Sequence, residues 1–175
     1  MLSIYLTNLG RYVEGYLEGE WLVLPCSVDK LQQTLQNIGI NKNYEEWFIS
    51  DYSCNLQCVC DVIHEYGSIT ALNELAERLD ELTEHELEKL EAIHEAEEFT
   101  EVSQLLNASY SLDEWDIYHD VEDEDSLGEY FYYELGAIEI PEKVIGYFDF
   151  EAYGRDVHLD IPYGVFTTFG YVTRF

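Results

Sequence analysis

Between Leu90 and Glu142 the chain carries 17 acidic residues and no lysine or arginine. A run of like charge is ordinarily a solvated tail. This one is not composed as a tail, because the same 53 residues hold Leu105, Leu106, Trp115, Ile117, Tyr118, Tyr130, Phe131, Tyr132, Tyr133 and Ile138. Disordered segments lack such side chains, which need a core to bury them. The carboxylates must therefore sit on folded structure, held in place with almost no cations to answer them.

With 175 residues, 47% of them hydrophobic, there is apolar material for one domain or for two or three small lobes. The net charge of -29 lies far outside the magnitude of about 2 to 8 that suffices for solubility, and self-repulsion at that level destabilises a compact state. Residues 1–60 carry net -4, residues 61–135 net -22 and residues 136–175 net -3. Adaptation to high salt would coat every lobe alike, so this concentration points to a function. Eight Lys and Arg against 37 Asp and Glu exclude a grip on a phosphate backbone, which requires cations to displace counterions. The expected partner is positively charged, with no nucleic acid and no membrane among the ligands. The start, MLSIYLTNLGRYVEG, has no basic then apolar leader pattern, and no stretch is apolar enough for a span. A cytoplasmic location follows as the expectation, with Cys26, Cys54, Cys58 and Cys60 as free thiols.

The periodicities predict an α+β chain. SIYLTNLG, YLEGEWLVLP and YEEWFISDYS read as strands, with a helix over VDKLQQTLQNI capped by Ser27 and stopped at Gly39. In the middle, Ser68 caps ITALNELAERLDEL, Thr83 and Glu86 form a capping box opening EHELEKLEAIHEAEE, and a shorter helix follows from Glu101 to Asn107. The C-terminal part mixes a helix from about Ser126 to Leu135, ended by Gly136, with a turn or short helix begun by Pro141 and a final strand in GVFTTFGYVTRF. The four consecutive aromatic rings from Tyr130 to Tyr133 lie on more than one helix face, so some are expected inward and others exposed, at a twofold contact between copies.

Spacing gives the acid a meaning. Glu84 to Glu97 is 14 residues, about 21 Å of helix, and carries six glutamates, close to one charge per 3.4 Å of a DNA strand. Exposed helices normally intersperse lysine at i,i+4, and here only Lys89 does so. Two copies would present 58 net negative charges, equivalent to about 100 Å of duplex. These features describe a DNA mimic that enters a basic groove, its carboxylates steering fast association. The acids expected to contact the partner are Glu84, Glu88, Glu91, Glu95, Glu98, Asp113, Glu114, Asp116, Asp120, Glu122, Asp123, Glu124, Asp125 and Glu129. The alternative is an acidic interaction protein that sequesters another basic DNA-binding partner.

Other chemistries fit less well. Asp123, Asp125, Gly128 and Glu134 match an EF-hand, but Leu127 stands where an oxygen ligand belongs, and the acids from Asp123 read better as a helix start. Cys54, Cys58, Cys60 and His64 have a C-x3-C-x-C spacing that is not a usual zinc pattern. Gly10 and Gly15 open a phosphate loop that Tyr16 and Leu17 fail to complete. No acid is singled out for general acid–base work, so neither a catalytic residue, a metal nor a cofactor is expected.

The words IYLTNLGRYVEGYLEGEWLVLP, YEEWFISDY, YGSITALNELAERL, DSLGEYFYYELGAI and YFDFEAYGRDVHLD together resemble ArdA-type antirestriction proteins, over nearly the whole chain, with EAYGRD the most specific. The resemblance implies an elongated, three-domain homodimer, encoded on mobile genetic elements, that copies bent duplex DNA and blocks type I restriction-modification enzymes at their methyltransferase core. It places lobes at residues 1–61 (α+β), 62–106 (acidic, helical) and 107–175 (α+β, dimerising), with an antirestriction motif within about Leu112 to Leu135. Clustered cysteines and a longer acidic stretch before Trp115 depart from the family pattern and inherit no role.

Overall fold

Along LSIYLTN and GEWLVL, residues that must be buried alternate with residues that need not be, the period-two mark of strands with one face in a core. In the computed structural model, which describes residues 1–174, these form β1 (Leu2–Asn8) and β2 (Gly19–Leu24). With β3 (Trp47–Ser53) they make an antiparallel sheet in the order β2-β1-β3. Leu2, Ile4, Leu6, Leu22, Leu24 and Ile49 are buried. A short α1 (Leu9–Val13) starts where the Asn8 side chain accepts from the Arg11 amide at 3.0 Å. Next, α2 (Val28–Asn37) is capped by Ser27 as expected, and the chain turns out of it through Gly39 at φ +80°.

A second short helix, α3 (Gln57–Asp61), leads to α4 (Ile69–Glu81), whose cap Ser68 accepts from the Ala71 amide at 3.3 Å. Ile69, Leu72, Leu75, Ala76 and Leu79 form the buried stripe that the spacing predicts. The capping box of α5 (Glu84–Glu97) is present: the Thr83 amide donates to Glu86 Oε2 at 2.8 Å and the Glu86 amide to Thr83 Oγ1 at 3.3 Å. Helix α6 (Val102–Tyr110) then packs on α4.

The described chain forms two compact units. One comprises Met1–Glu91 and Phe99–Tyr110; the other comprises Ala92–Glu98 and the chain from Ser111 onward. In the second, β4 (Trp115–Tyr118), β5 (Gly164–Thr167) and β6 (Gly170–Arg174) form an antiparallel sheet ordered β4-β6-β5. Against it lie α7 (Glu124–Tyr133) and α8 (Phe150–Asp160), around a core of Val121, Leu127 and Tyr171. The Tyr171 ring is fully buried, burial pushes its phenol up to about 12, and its hydroxyl lies 2.9 Å from His158 Nδ1. Eight α-helices and two three-stranded antiparallel sheets among the described residues make the chain α+β.

Helices α7 and α8 touch backbone to backbone. A methyl group on Gly154 would collide with the Glu124 carbonyl oxygen and come within 2.6 Å of the Gly128 amide nitrogen. One on Gly128 would collide with the Phe150 carbonyl oxygen. At the start of α7, Asp123 caps the helix by accepting from the Ser126 amide at 2.9 Å, and the Ser126 hydroxyl accepts in return from the Asp123 amide at 3.1 Å. The reading of Asp123 to Ser126 as a helix start therefore holds, with the first helical residue at Glu124.

One local expectation changes, and α8 and β4 are elements that the periodicities do not predict. The single strand expected over GVFTTFGYVTRF is a hairpin, β5 and β6, turned through Gly170 at φ +124°, and Phe175 lies outside the described residues. Helix α8 was not expected, because Gly154 interrupts its pattern; close approach to α7 is the reason a glycine stands there. Strand β4, four residues long and paired only with β6, is likewise too short to be read from alternation.

Gly154→Ala should cost about 3 kcal/mol or more in urea unfolding, since backbone atoms cannot move aside as a flexible side chain would. A second expectation concerns pH. The Ser126 hydrogen bonds hold the Asp123 carboxyl below its usual range, so its stabilisation is present above the unfolded pKa near about 4 and is lost as pH falls through the lower folded value. Asp123→Ala should thus lower the Tm by about 3 °C at pH 7, with the gap to the parent closing in parallel melts as acid protonates the carboxyl in the folded state.

Candidate partner-binding surface

The acids expected to meet a partner fall on a few elements. Glu84, Glu88 and Glu91 are on the first part of α5, within the first unit. Glu95 belongs to the last part of α5 and Glu98 follows it, both within the second unit. At 100° per residue, Glu84, Glu88, Glu91 and Glu95 fall on one stripe of the helix. Away from this stripe α5 also has a packed side: Leu90, Ala92, Ile93 and His94 are buried.

Two members of the stripe are engaged with backbone. Glu91 is half-buried and accepts from the Gln57 amide at 2.7 Å and the Cys58 amide at 3.0 Å, capping the N-terminus of α3. Helix α3 has no side-chain cap of its own at Leu56, and a carboxylate supplied from elsewhere satisfies its first amides. Glu95 accepts from the Thr168 amide at 2.9 Å and the Thr168 hydroxyl at 2.7 Å, pinning the turn between β5 and β6. Nothing in helical spacing distinguishes these two glutamates from Glu84 or Glu88; their partners are 34 and 73 residues away in sequence.

From Asp113 to Glu129 the carboxylates sit on a single 3-10 turn (Leu112–Glu114), on β4, on the connection to α7 and on the first two turns of α7. Asp113, Asp116, Asp120, Glu122, Asp125 and Glu129 are exposed, and Glu124 is half-buried. Among the described residues none of these seven is paired with a lysine or arginine. Glu114 is the exception, bonded to the Arg174 guanidinium, which also lies 5.5 Å over the Trp115 ring. Asp123 serves as the α7 cap. Asp120 at φ +61° and Glu98 at φ +52° occupy the left-handed region, so each bends the chain where it also presents a charge.

After Glu129, α7 carries four consecutive aromatic rings. Tyr130 stacks on Tyr118 with centroids 4.7 Å apart, anchoring α7 to the sheet, whereas Tyr133 is 60% exposed and lies 5.9 Å from Phe150. The rings thus divide between core and surface as expected.

Around the cysteines, Cys58 is buried and its thiol is pushed up, by burial first and by the Glu91 carboxylate second. Cys60 Sγ contacts the Cys54 carbonyl oxygen at 3.8 Å, and His64 Nε2 lies 2.7 Å from the Thr100 carbonyl oxygen. Among the described residues no three His, Cys, Asp or Glu side chains are grouped to hold a metal ion, and no helix is long and apolar enough to cross a membrane.

Comparison with known proteins bears on the whole arrangement. A family model described as antirestriction protein (ArdA) matches residues 4–173. No curated protein matches the chain. The matched segment runs from Ile4 in β1 to Thr173 in β6 and includes every acid discussed above, and on that coverage the chain belongs to the ArdA family of antirestriction proteins.

Proposed function

We propose that this antirestriction protein acts as a DNA mimic, occupying the DNA-binding groove of a type I restriction-modification enzyme on its methyltransferase core, and that it does no chemistry of its own. The observation that carries the reading is the run from Asp113 to Glu129: seven carboxylates without a lysine or arginine partner, borne on a strand, a capped helix and their connection. A flexible acidic tail would lose much of its attraction to the ordering of its chain. Anions on a prebuilt scaffold avoid that cost, and their field raises the association rate. By the family resemblance two copies join through residues 107–175, doubling the charge offered to the groove.

Competition measures the claim directly. Adding the protein to a type I enzyme bound to labelled DNA should release the DNA competitively, and the block should weaken steeply with added salt, because it rests on screened charge pairs. Release that is noncompetitive, or that ignores ionic strength, would refute the mimic.

Distribution of the effect is a second expectation. Neutralising one exposed acid, such as Glu122→Gln or Asp125→Asn, should change inhibition by less than about fivefold, since an exposed pair is worth about 0 to 1 kcal/mol. Neutralising Asp120, Glu122, Glu124, Asp125 and Glu129 together should weaken it on the order of 50-fold. Glu91→Gln and Glu95→Gln should behave differently from both, lowering the Tm by about 3 °C through lost charge-assisted hydrogen bonds while leaving the salt slope of inhibition unchanged.

A further inference from the structure

One cleft of about 650 Å³ opens in the second unit, lined by residues of β4, α7, the end of α8 and β6. Its walls are mostly apolar and include the rings of Tyr118, Phe131 and Tyr163. Two carboxylates, Asp116 on β4 and Asp160 at the end of α8, also line it. Tyr163 is 63% exposed and Asp116 and Asp160 are exposed, so the mouth is accessible in the single chain.

The one cation in the lining, Arg174, does not neutralise it. Arg174 pairs in register with Trp115, whereas Asp116 pairs with Thr173, so the period of two puts the Arg174 side chain on the sheet face opposite Asp116. Its guanidinium is accounted for there by Glu114 and the Trp115 ring, and its amide donates to the Tyr163 carbonyl at 3.2 Å. Neither Asp116 nor Asp160 is paired with a lysine or arginine among the described residues. Asp160 also ends the 11-residue α8, whose C-terminal carbonyls add partial negative charge at the same place. Asp116 and Tyr118 stand two apart on β4 and so share one face of the sheet, and burial first, with the Asp116 carboxylate second, raises the Tyr118 phenol above its usual value.

Aromatic walls beside unanswered carboxylates are the environment that a planar, weakly hydrated cation prefers over water. We propose that this cleft is an anchor for an arginine side chain of the basic partner, with the guanidinium against the Tyr118 and Tyr163 rings and its N–H groups donating to Asp116 and Asp160. The volume accommodates the side chain together with flanking backbone of the partner. Arginine is favoured over lysine because its flat fork can stack on a ring and donate to two carboxylates at once. The inference rests on the proposed function for the basic character of the partner and adds to it one defined, concave contact within an otherwise dispersed charge surface.

The test uses the 175-residue chain and a small probe, N-acetyl-arginine methylamide, titrated while backbone amides are followed by NMR. Shifts should centre on Asp116, Tyr118, Asp160 and Tyr163, with millimolar affinity. The isosteric neutral probe made with citrulline should leave them unmoved. Combined Asp116→Asn and Asp160→Asn, both at exposed positions, should weaken arginine binding about fivefold or more. Shifts scattered over the acids of α5 and α7, with unchanged affinity in the double variant, would overturn the proposal. So would cleft amides that ignore the probe and respond only to dilution, since a second copy of the chain would then be the occupant. No restriction enzyme enters this measurement. A failed DNA competition beside a normal probe response would therefore sink the proposed function alone, and the converse result would sink the cleft alone.

Discussion

Repulsion among like charges is the constraint that the rest of this structure answers. At net -29 the folded chain holds anions closer together than its unfolded form would, and few cations are present to offset them. Apolar burial supplies the opposing force. Leu72, Leu75, Leu90 and Leu105 are fully buried in the first unit, and Leu127 and Tyr171 in the second. Burial of a large apolar side chain stabilises by about 1.5–3 kcal/mol, against which an exposed pair of like charges is a small term. The acid is tolerable because it is spread over surfaces whose undersides are tightly packed.

Some of the acid is also put to structural use. Glu86 and Asp123 cap the helices they start or precede, Glu91 caps α3 from a distance, and Glu95 holds the β5–β6 turn. Each accepts hydrogen bonds from amides that would otherwise lack an intrahelical or ladder partner. A chain poor in lysine and arginine has few ion pairs available, and backbone amides are the remaining source of positive partial charge. The result is a division among chemically identical side chains: some carboxylates hold the fold, and others face outward without a lysine or arginine partner. The carboxylates that accept from backbone amides explain how the remaining charge is held in place.

Much of this was legible in advance where the signal is local. The stripe of α4, the Ser27 and Ser68 caps, the Thr83–Glu86 box and the helix start at Asp123 depend on residues within a few positions of one another, and all stand as read. Helix α8 was hidden because Gly154 looks like a break until Gly128 is seen against it. The β5–β6 hairpin was hidden because one continuous aromatic run conceals a turn at Gly170. Of the acids, Glu91 and Glu95 carry no mark in the sequence to separate them from Glu84, because hydrogen bonds to Gln57 and Thr168 join residues far apart in the chain.

By itself the sequence determined the sign and location of the charge, the α+β class and the starts of α2, α4 and α5, since composition, periodicity and capping act over short range. The family was readable too, from words spread along the chain, and the match over residues 4–173 agrees with it. Tertiary structure alone decided that Glu91 and Glu95, beyond the locally capping Glu86 and Asp123, meet an amide. It also decided that two glycines, 26 positions apart in the sequence, bring α7 and α8 into backbone contact, and that Asp116 and Asp160 face one cleft from which the Arg174 side chain is turned away. The physical reason is common to all three: a carboxylate or a glycine has the same local propensity wherever it stands, and only the approach of a distant backbone or side chain assigns its role.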